Sequence, residues 1–89
     1  MELEGKSVLL TGATGGLGRA IAAAVAAKGA RLVLSARDQA RLEALADELP
    51  GTGHRVAASD LGEPGAALEL MRAAGDVDVL IANAGVPET

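Results

Sequence analysis

Apolar residues fall along the chain in short blocks of two alternating kinds. Ser7-Val-Leu-Leu10 is a continuous apolar run that stops at Thr11-Gly12, a turn signal, and so predicts a buried strand. From Leu17 the spacing becomes helical. Leu17, Ile21, Ala24, Val25 and Lys28 recur every three or four residues, alanine fills most other positions, and Gly29 is placed for a C-terminal cap. Arg31-Leu-Val-Leu-Ser35 predicts a second strand. Asp38 then stands at an N-cap position, before a helix that carries Leu42, Leu45, Ala46 and Leu49 on one face and ends at Pro50-Gly51. His54-Arg-Val-Ala-Ala58 predicts a third, weaker strand, Pro64 suits a first helical turn, and Leu68, Met71 and Ala74 give the third helix a buried stripe. Val77 to Ala82 predicts a fourth strand.

Strands that are apolar throughout are buried on both faces, and alternation with helices points to parallel strands joined by right-handed crossovers. The element order is therefore β-α-β-α-β-α-β, an α/β chain. It predicts a Rossmann-type doubly wound parallel sheet, truncated, with strand order 3-2-1-4. The first two helices belong on one face and the third on the other. Domains commonly run to about 100–150 residues, so residues 1–89 are expected to be the N-terminal part of a single domain of this kind.

Composition narrows what such a sheet can do. Apolar residues at 49% and charged residues at 22% give a folded chain and not a disordered one. Phe, Tyr, Trp and Cys are all absent, so the core must be built from small aliphatic side chains. Without cysteine there is no disulfide, thiolate nucleophile or Cys-ligated metal, and the single histidine, His54, has no second ligand spaced to join it, so no metal site is expected. A formal net charge of −4, with no basic run and no aromatic residues to stack on bases, excludes nucleic acid as an expected partner. No leader pattern opens the chain, and its apolar runs fall far short of the roughly 20 residues of a membrane span. A cytoplasmic protein without a membrane partner is the expectation.

The chemistry lies between strand one and helix one, where the chain reads Thr11-Gly-Ala-Thr-Gly-Gly-Leu-Gly18. Glycines at a strand-to-helix turn have a physical use. The first allows the tight turn, the middle ones let backbone approach a pyrophosphate, and the last lets helix and strand pack closely. Free N–H groups and the helix dipole then face the anion. The position of the turn, after a strand and before a helix, favours dinucleotide binding over a merely glycine-rich helix start. Thr11, Gly12, Thr14, Gly15, Gly16, Leu17 and Gly18 are the candidate contacts. About twenty residues further on, a dinucleotide fold presents the group that meets the adenosine ribose. Here that stretch is Ser35-Ala-Arg-Asp38. Arg37 can pair with a 2′-phosphate and Ala36 offers no carboxylate to a ribose diol, which favours NADP and leaves NAD as the alternative. A solvated Arg37, with Asp38 serving only as a helix cap, is the competing structural reading.

With these residues in place the chain resembles the short-chain dehydrogenase/reductase family. Its Thr-Gly-x-x-x-Gly-x-Gly motif is matched by Thr11, Gly12, Gly16 and Gly18, and its Asn-Ala-Gly signature after strand four by Asn83-Ala84-Gly85. The resemblance implies an NADP-preferring oxidoreductase that moves hydride between NADP(H) and a carbonyl or alcohol, with this chain as the cofactor-binding portion. It also implies that Asp60 and Leu61, after strand three, lie near the adenine ring, although a turn role for Asp60 competes. Two features depart from the NADP-preferring members, which often carry a basic residue where this chain has Gly15 and a hydroxyl where it has Ala36. Gly15 also fits the spacing of the extended branch, which includes nucleotide-sugar epimerases and dehydratases, whereas Asn83-Ala84-Gly85 favours the dehydrogenase branch.

In the family, catalysis relies on a Ser, a Tyr, a Lys and a further Asn, all later than the Asn-Ala-Gly signature. The sequence has no Tyr, so no catalytic residue is assigned within it, and a non-catalytic nucleotide-binding fragment is the alternative reading. The chain corresponds to about the first third of a usual family member. Strand four is then expected to present an apolar edge, which makes the chain a marginal monomer or a self-associating one.

Overall fold

The computed structural model describes residues 2–83. Four strands, β1 (Ser7–Leu10), β2 (Arg31–Leu34), β3 (Arg55–Val56) and β4 (Val79–Ile81), alternate with helices α1 (Gly16–Ala27), α2 (Gln39–Glu48) and α3 (Ala66–Ala74). The strands form one parallel sheet in the order β3-β2-β1-β4. Val8, Leu9 and Leu10 of β1 lie opposite Leu32, Val33 and Leu34 of β2 on one side and Val79, Leu80 and Ile81 of β4 on the other.

Because side chains alternate along a strand, each central strand feeds two cores. Val8, Leu10, Leu32 and Leu34 face α1 and α2, where they meet Ala22, Val25 and Ala26 and then Leu42, Leu45 and Leu49. Leu9 and Val33 face the other way, under Leu70 and Ala74 of α3. Each fully buried leucine is worth about 1.5–3 kcal/mol of transfer free energy, so the α1/α2 face, with the longer roll of buried leucines, carries most of the stability. The chain moves outward from β1 to β3 and then jumps back past β1 to β4. A right-handed crossover made in the reversed direction puts its helix on the opposite face.

Three details differ from the pattern read in the sequence. On α1 the buried residues are Gly18, Ala22, Val25 and Ala26, while Leu17 and Ala24 point outward. Gly18 must face the preceding turn, since a Cβ there would collide with the Gly12 carbonyl oxygen, and this contact sets the rotation of the helix. On α3 the buried stripe is Ala66, Leu70 and Ala74, and Leu68 and Met71 are exposed. The platform beneath it, Leu9 and Val33, is narrow, so one stripe of mostly small residues suffices. Pro64 precedes this helix instead of sitting in its first turn, because Gly65, at φ 80°, swings the chain round before Ala66.

The outer strands are shorter than their apolar runs. At β3 the start is fixed by His54, which precedes the strand. It is half-buried, its Nδ1 accepts the Leu32 N–H at 3.1 Å, and its Nε2–H donates to the Pro50 carbonyl at 2.7 Å. The imidazole thus takes the place that a backbone carbonyl would hold in a longer β3. At β4 the Asp78 N–H donates to the Ser7 carbonyl at 2.8 Å and the Asp78 carboxylate accepts the Ser7 N–H at 2.8 Å, which pins the start of the strand to β1. No helix among the described residues is long and apolar enough to cross a membrane.

Candidate functional site

In a parallel sheet all strands end at the same edge, and the carboxyl ends of β1 to β4 bring together Thr11–Gly18, Arg37, Asp60 and Asn83. The order of the strands reverses between β1 and β4, and α1, which follows β1, lies on the opposite face from α3, which precedes β4, so the topological switch point falls there. The glycine turn stands beside it.

The turn is shaped by close backbone contacts. Gly12 has φ 64°, and a Cβ there would collide with the Asn83 carbonyl oxygen, so no other residue fits both the conformation and the space. Asn83 also donates from its own N–H to the Thr11 hydroxyl at 3.1 Å and from Nδ2 to the Gly12 carbonyl at 3.2 Å. Thr11 is buried, and its backbone N–H donates to the Ile81 carbonyl at 3.1 Å. On the other flank the Ala13 N–H donates to the Ser35 carbonyl at 3.0 Å. The turn is therefore bolted to β4 through Asn83 and to β2 through Ser35. Thr11, Gly12 and Gly18 build the frame, and Asn83 is one of its bolts.

The remaining residues of the turn are open. Among the described residues nothing lies within 4 Å of where a Cβ on Gly16 would sit, and Gly15 has only the Gly12 carbonyl at 3.7 Å. Gly15 is the N-cap of α1 and no side chain caps the helix. The first N–H groups of a helix lack intrahelical partners, and Gly16 and Leu17 at this start are exposed, with the positive end of the helix dipole behind them. Leu17, 67% exposed, presents an apolar side chain beside them, and Thr14 is half-buried. An uncapped helix start, a glycine surface with no side-chain cover and an adjacent apolar contact fit a pyrophosphate and the group it carries.

Arg37 is exposed just past β2 and makes no ion pair among the described residues, whereas Arg19 on α1 is held by Glu48 at 3.0 Å. Asp38 caps α2, its carboxylate accepting the Arg41 N–H at 3.2 Å. Asp60 lies beyond β3, exposed, and one of its oxygens accepts the Gly62 N–H at 3.0 Å, so it has the turn role weighed for it. Leu61 is exposed beside it. Ala84 and Gly85 lie outside the described residues. A groove of 370 Å³ lined by residues that include Ser59, Asp60, Glu63 and Glu69 opens between the end of β3 and α3. Its three carboxylates make it an unfavourable place for a phosphate. Asp78 is the framework residue that periodicity did not single out. Its signal is an acidic residue at the very start of an apolar run.

Comparison with known proteins agrees with this layout. The short chain dehydrogenase family model matches residues 6–89. The 3-oxoacyl-[acyl-carrier-protein] reductase FabG of Escherichia coli (strain K12) is 40% identical over 89 residues, a match that takes in 97% of this chain and 36% of the relative. A metagenomic short-chain oxidoreductase crystallised with NADP superposes with a TM-score of 0.81 at 39% identity, over 97% of this chain and 42% of that one. A short-chain dehydrogenase/reductase from Burkholderia phymatum in complex with NAD gives a TM-score of 0.81 at 32% identity, over 90% of this chain and 31% of that one. The chain spans about a third of the length of the curated relatives it matches. With both the sheet and the glycine turn in agreement, the chain belongs to the short-chain dehydrogenase family.

Proposed function

We propose that residues 1–89 are the N-terminal part of one NAD(P)-binding domain and supply the NADP(H) site of an oxidoreductase acting on a carbonyl or alcohol. The observation that carries this reading is the uncapped start of α1 beside the open Gly15–Gly16 surface, at the carboxyl edge of the sheet where the strand order reverses. In the proposed site the α1 N–H groups and the backbone at Thr14, Gly15 and Gly16 hold the pyrophosphate. Leu17 lies against the cofactor, Arg37 pairs with the 2′-phosphate, Asp60 and Leu61 border the adenine, and Asn83, Ala84 and Gly85 are further proposed cofactor contacts. The nicotinamide of the bound cofactor gives or takes the hydride.

NADP is favoured over NAD because Arg37 is free to meet an anion while the nearest carboxylate, Asp38, is turned onto α2. Solved relatives are complexed with either dinucleotide, so kinship alone does not choose. No Tyr occurs in these residues, and the proton transfers of the family fall to groups outside them. The 89-residue chain taken alone is thus a cofactor-binding unit, and it self-associates through β4, where Leu80 is 53% exposed.

Titration of the chain with NADPH and NADH, with and without Arg37→Asp, tests this reading. The expected result is saturable NADPH binding that Arg37→Asp weakens by about tenfold or more, or 1.4 kcal/mol, while NADH binding holds or improves. A folded chain that binds neither dinucleotide refutes it.

A further inference from the structure

Arg41 is placed where it does not help its helix. It sits in the first turn of α2, next to the positive end of the helix dipole, where a cation is unfavourable and an anion would be preferred. Its guanidinium has one ionic partner among the described residues, Asp38, with Nε at 3.6 Å from the carboxylate. That separation is longer than a hydrogen bond, and the two side chains are 74% and 54% exposed, so the pair is weak. Arg19 is the contrast, hydrogen-bonded to Glu48 at 3.0 Å and thereby committed. Arg41 is a loosely held cation three residues beyond the cap and four beyond Arg37.

We propose that Arg41 is a second cation for the 2′-phosphate of NADP(H), kept near the site by Asp38 and exchanged from that carboxylate to the phosphate when the cofactor binds. The proposal rests on the reading of Arg37 as a phosphate contact. A 2′-phosphate carries more charge than one carboxylate and offers paired oxygens to the planar guanidinium, so it competes well for a loosely held arginine. Asp38 does not lose its structural task in the exchange, because its other oxygen stays on the Arg41 backbone N–H as the cap of α2. Arg37 alone gives binding, and Arg41 widens the gap between NADPH and NADH. Asp38 works against the phosphate from beside it.

The test is the binding of NADPH and NADH to the wild-type chain and to three variants, Arg41→Gln, Asp38→Asn and Arg37→Ala. Arg41→Gln is expected to weaken NADPH by about three- to tenfold and to leave NADH unchanged. Asp38→Asn keeps an equally good cap and removes a negative charge, so NADPH tightens and NADH stays the same. Unfolding midpoints of both variants remain close to the wild-type value, so the changes in NADPH binding do not come from a change in stability. If Arg41→Gln binds NADPH like the wild type while Arg37→Ala weakens it, the exchange is wrong and the Arg37 contact stands. If Asp38→Asn weakens NADH selectively, Asp38 is a ribose ligand and the proposal is overturned. If Arg37→Ala leaves NADPH binding unchanged, the phosphate reading fails and the exchange fails with it.

Discussion

Two glycines in the same motif, Gly16 and Gly18, are expected to respond in opposite ways to the same added methyl group. A Cβ on Gly18 meets the Gly12 carbonyl oxygen and lies 2.9 Å from the Ala13 Cα, both backbone atoms that cannot rotate aside. Gly18→Ala therefore drives α1 away from the turn. Overpacking of this kind costs about 1–3 kcal/mol, and with only backbone in the way the value belongs near the upper end. For a domain of this size, 2 kcal/mol corresponds to a fall of about 8–16 °C in Tm. Among the described residues Gly16 has no atom within 4 Å of its Cβ position, and it stands at the start of α1. Alanine there relieves part of the helical cost of glycine, at most about 1 kcal/mol, so stability holds or rises slightly. The same methyl group stands on the surface that the pyrophosphate approaches, so NADPH binding falls by about tenfold or more. Circular dichroism during urea unfolding measures stability. The chain has no Trp or Tyr, so the nicotinamide fluorescence of NADPH reports binding without interference from the protein. A Gly16→Ala variant that unfolds as easily as Gly18→Ala, or one that binds NADPH as the wild type does, would refute the division of the turn into frame and contact surface.

The other expected outcomes follow from the framework around that turn. His54→Ala leaves the buried Leu32 N–H without its acceptor and removes the Pro50 contact, a loss of about 2–3 kcal/mol in urea unfolding; a loss below about 0.5 kcal/mol would mean the imidazole does not anchor the start of β3. Thr11→Val takes the hydroxyl from the Asn83 N–H and is expected to destabilise by about 1–3 kcal/mol and weaken NADPH binding at the same time, since the bolt and the turn are one unit. Sedimentation of the 89-residue chain should show concentration-dependent association that Leu80→Lys reduces, and a compact monomer at all concentrations would discard the edge contact.

The sequence by itself determined the order of elements, the parallel sheet and the glycine turn, because each depends on local chemistry. Buried parallel strands need unbroken apolar runs such as Val8–Leu10 and Leu32–Leu34, helix α2 needs its Asp38 cap, and a phosphate turn needs residues without Cβ between strand and helix. Tertiary structure alone decided which way each helix faces and how long each outer strand is. The rotation of α1 follows from the contact of Gly18 with Gly12, and the stripe of α3 from the narrow platform of Leu9 and Val33, neither of which periodicity can supply. The start of β3 depends on an imidazole that satisfies a backbone N–H 22 positions away in sequence. So too with the site: the sequence names Thr11, Gly12 and Asn83, but only the fold brings Asn83 across 72 positions to the Thr11 hydroxyl and makes one rigid turn of them. Such contacts are fixed by where the sheet places its strands, and no local window of residues encodes that.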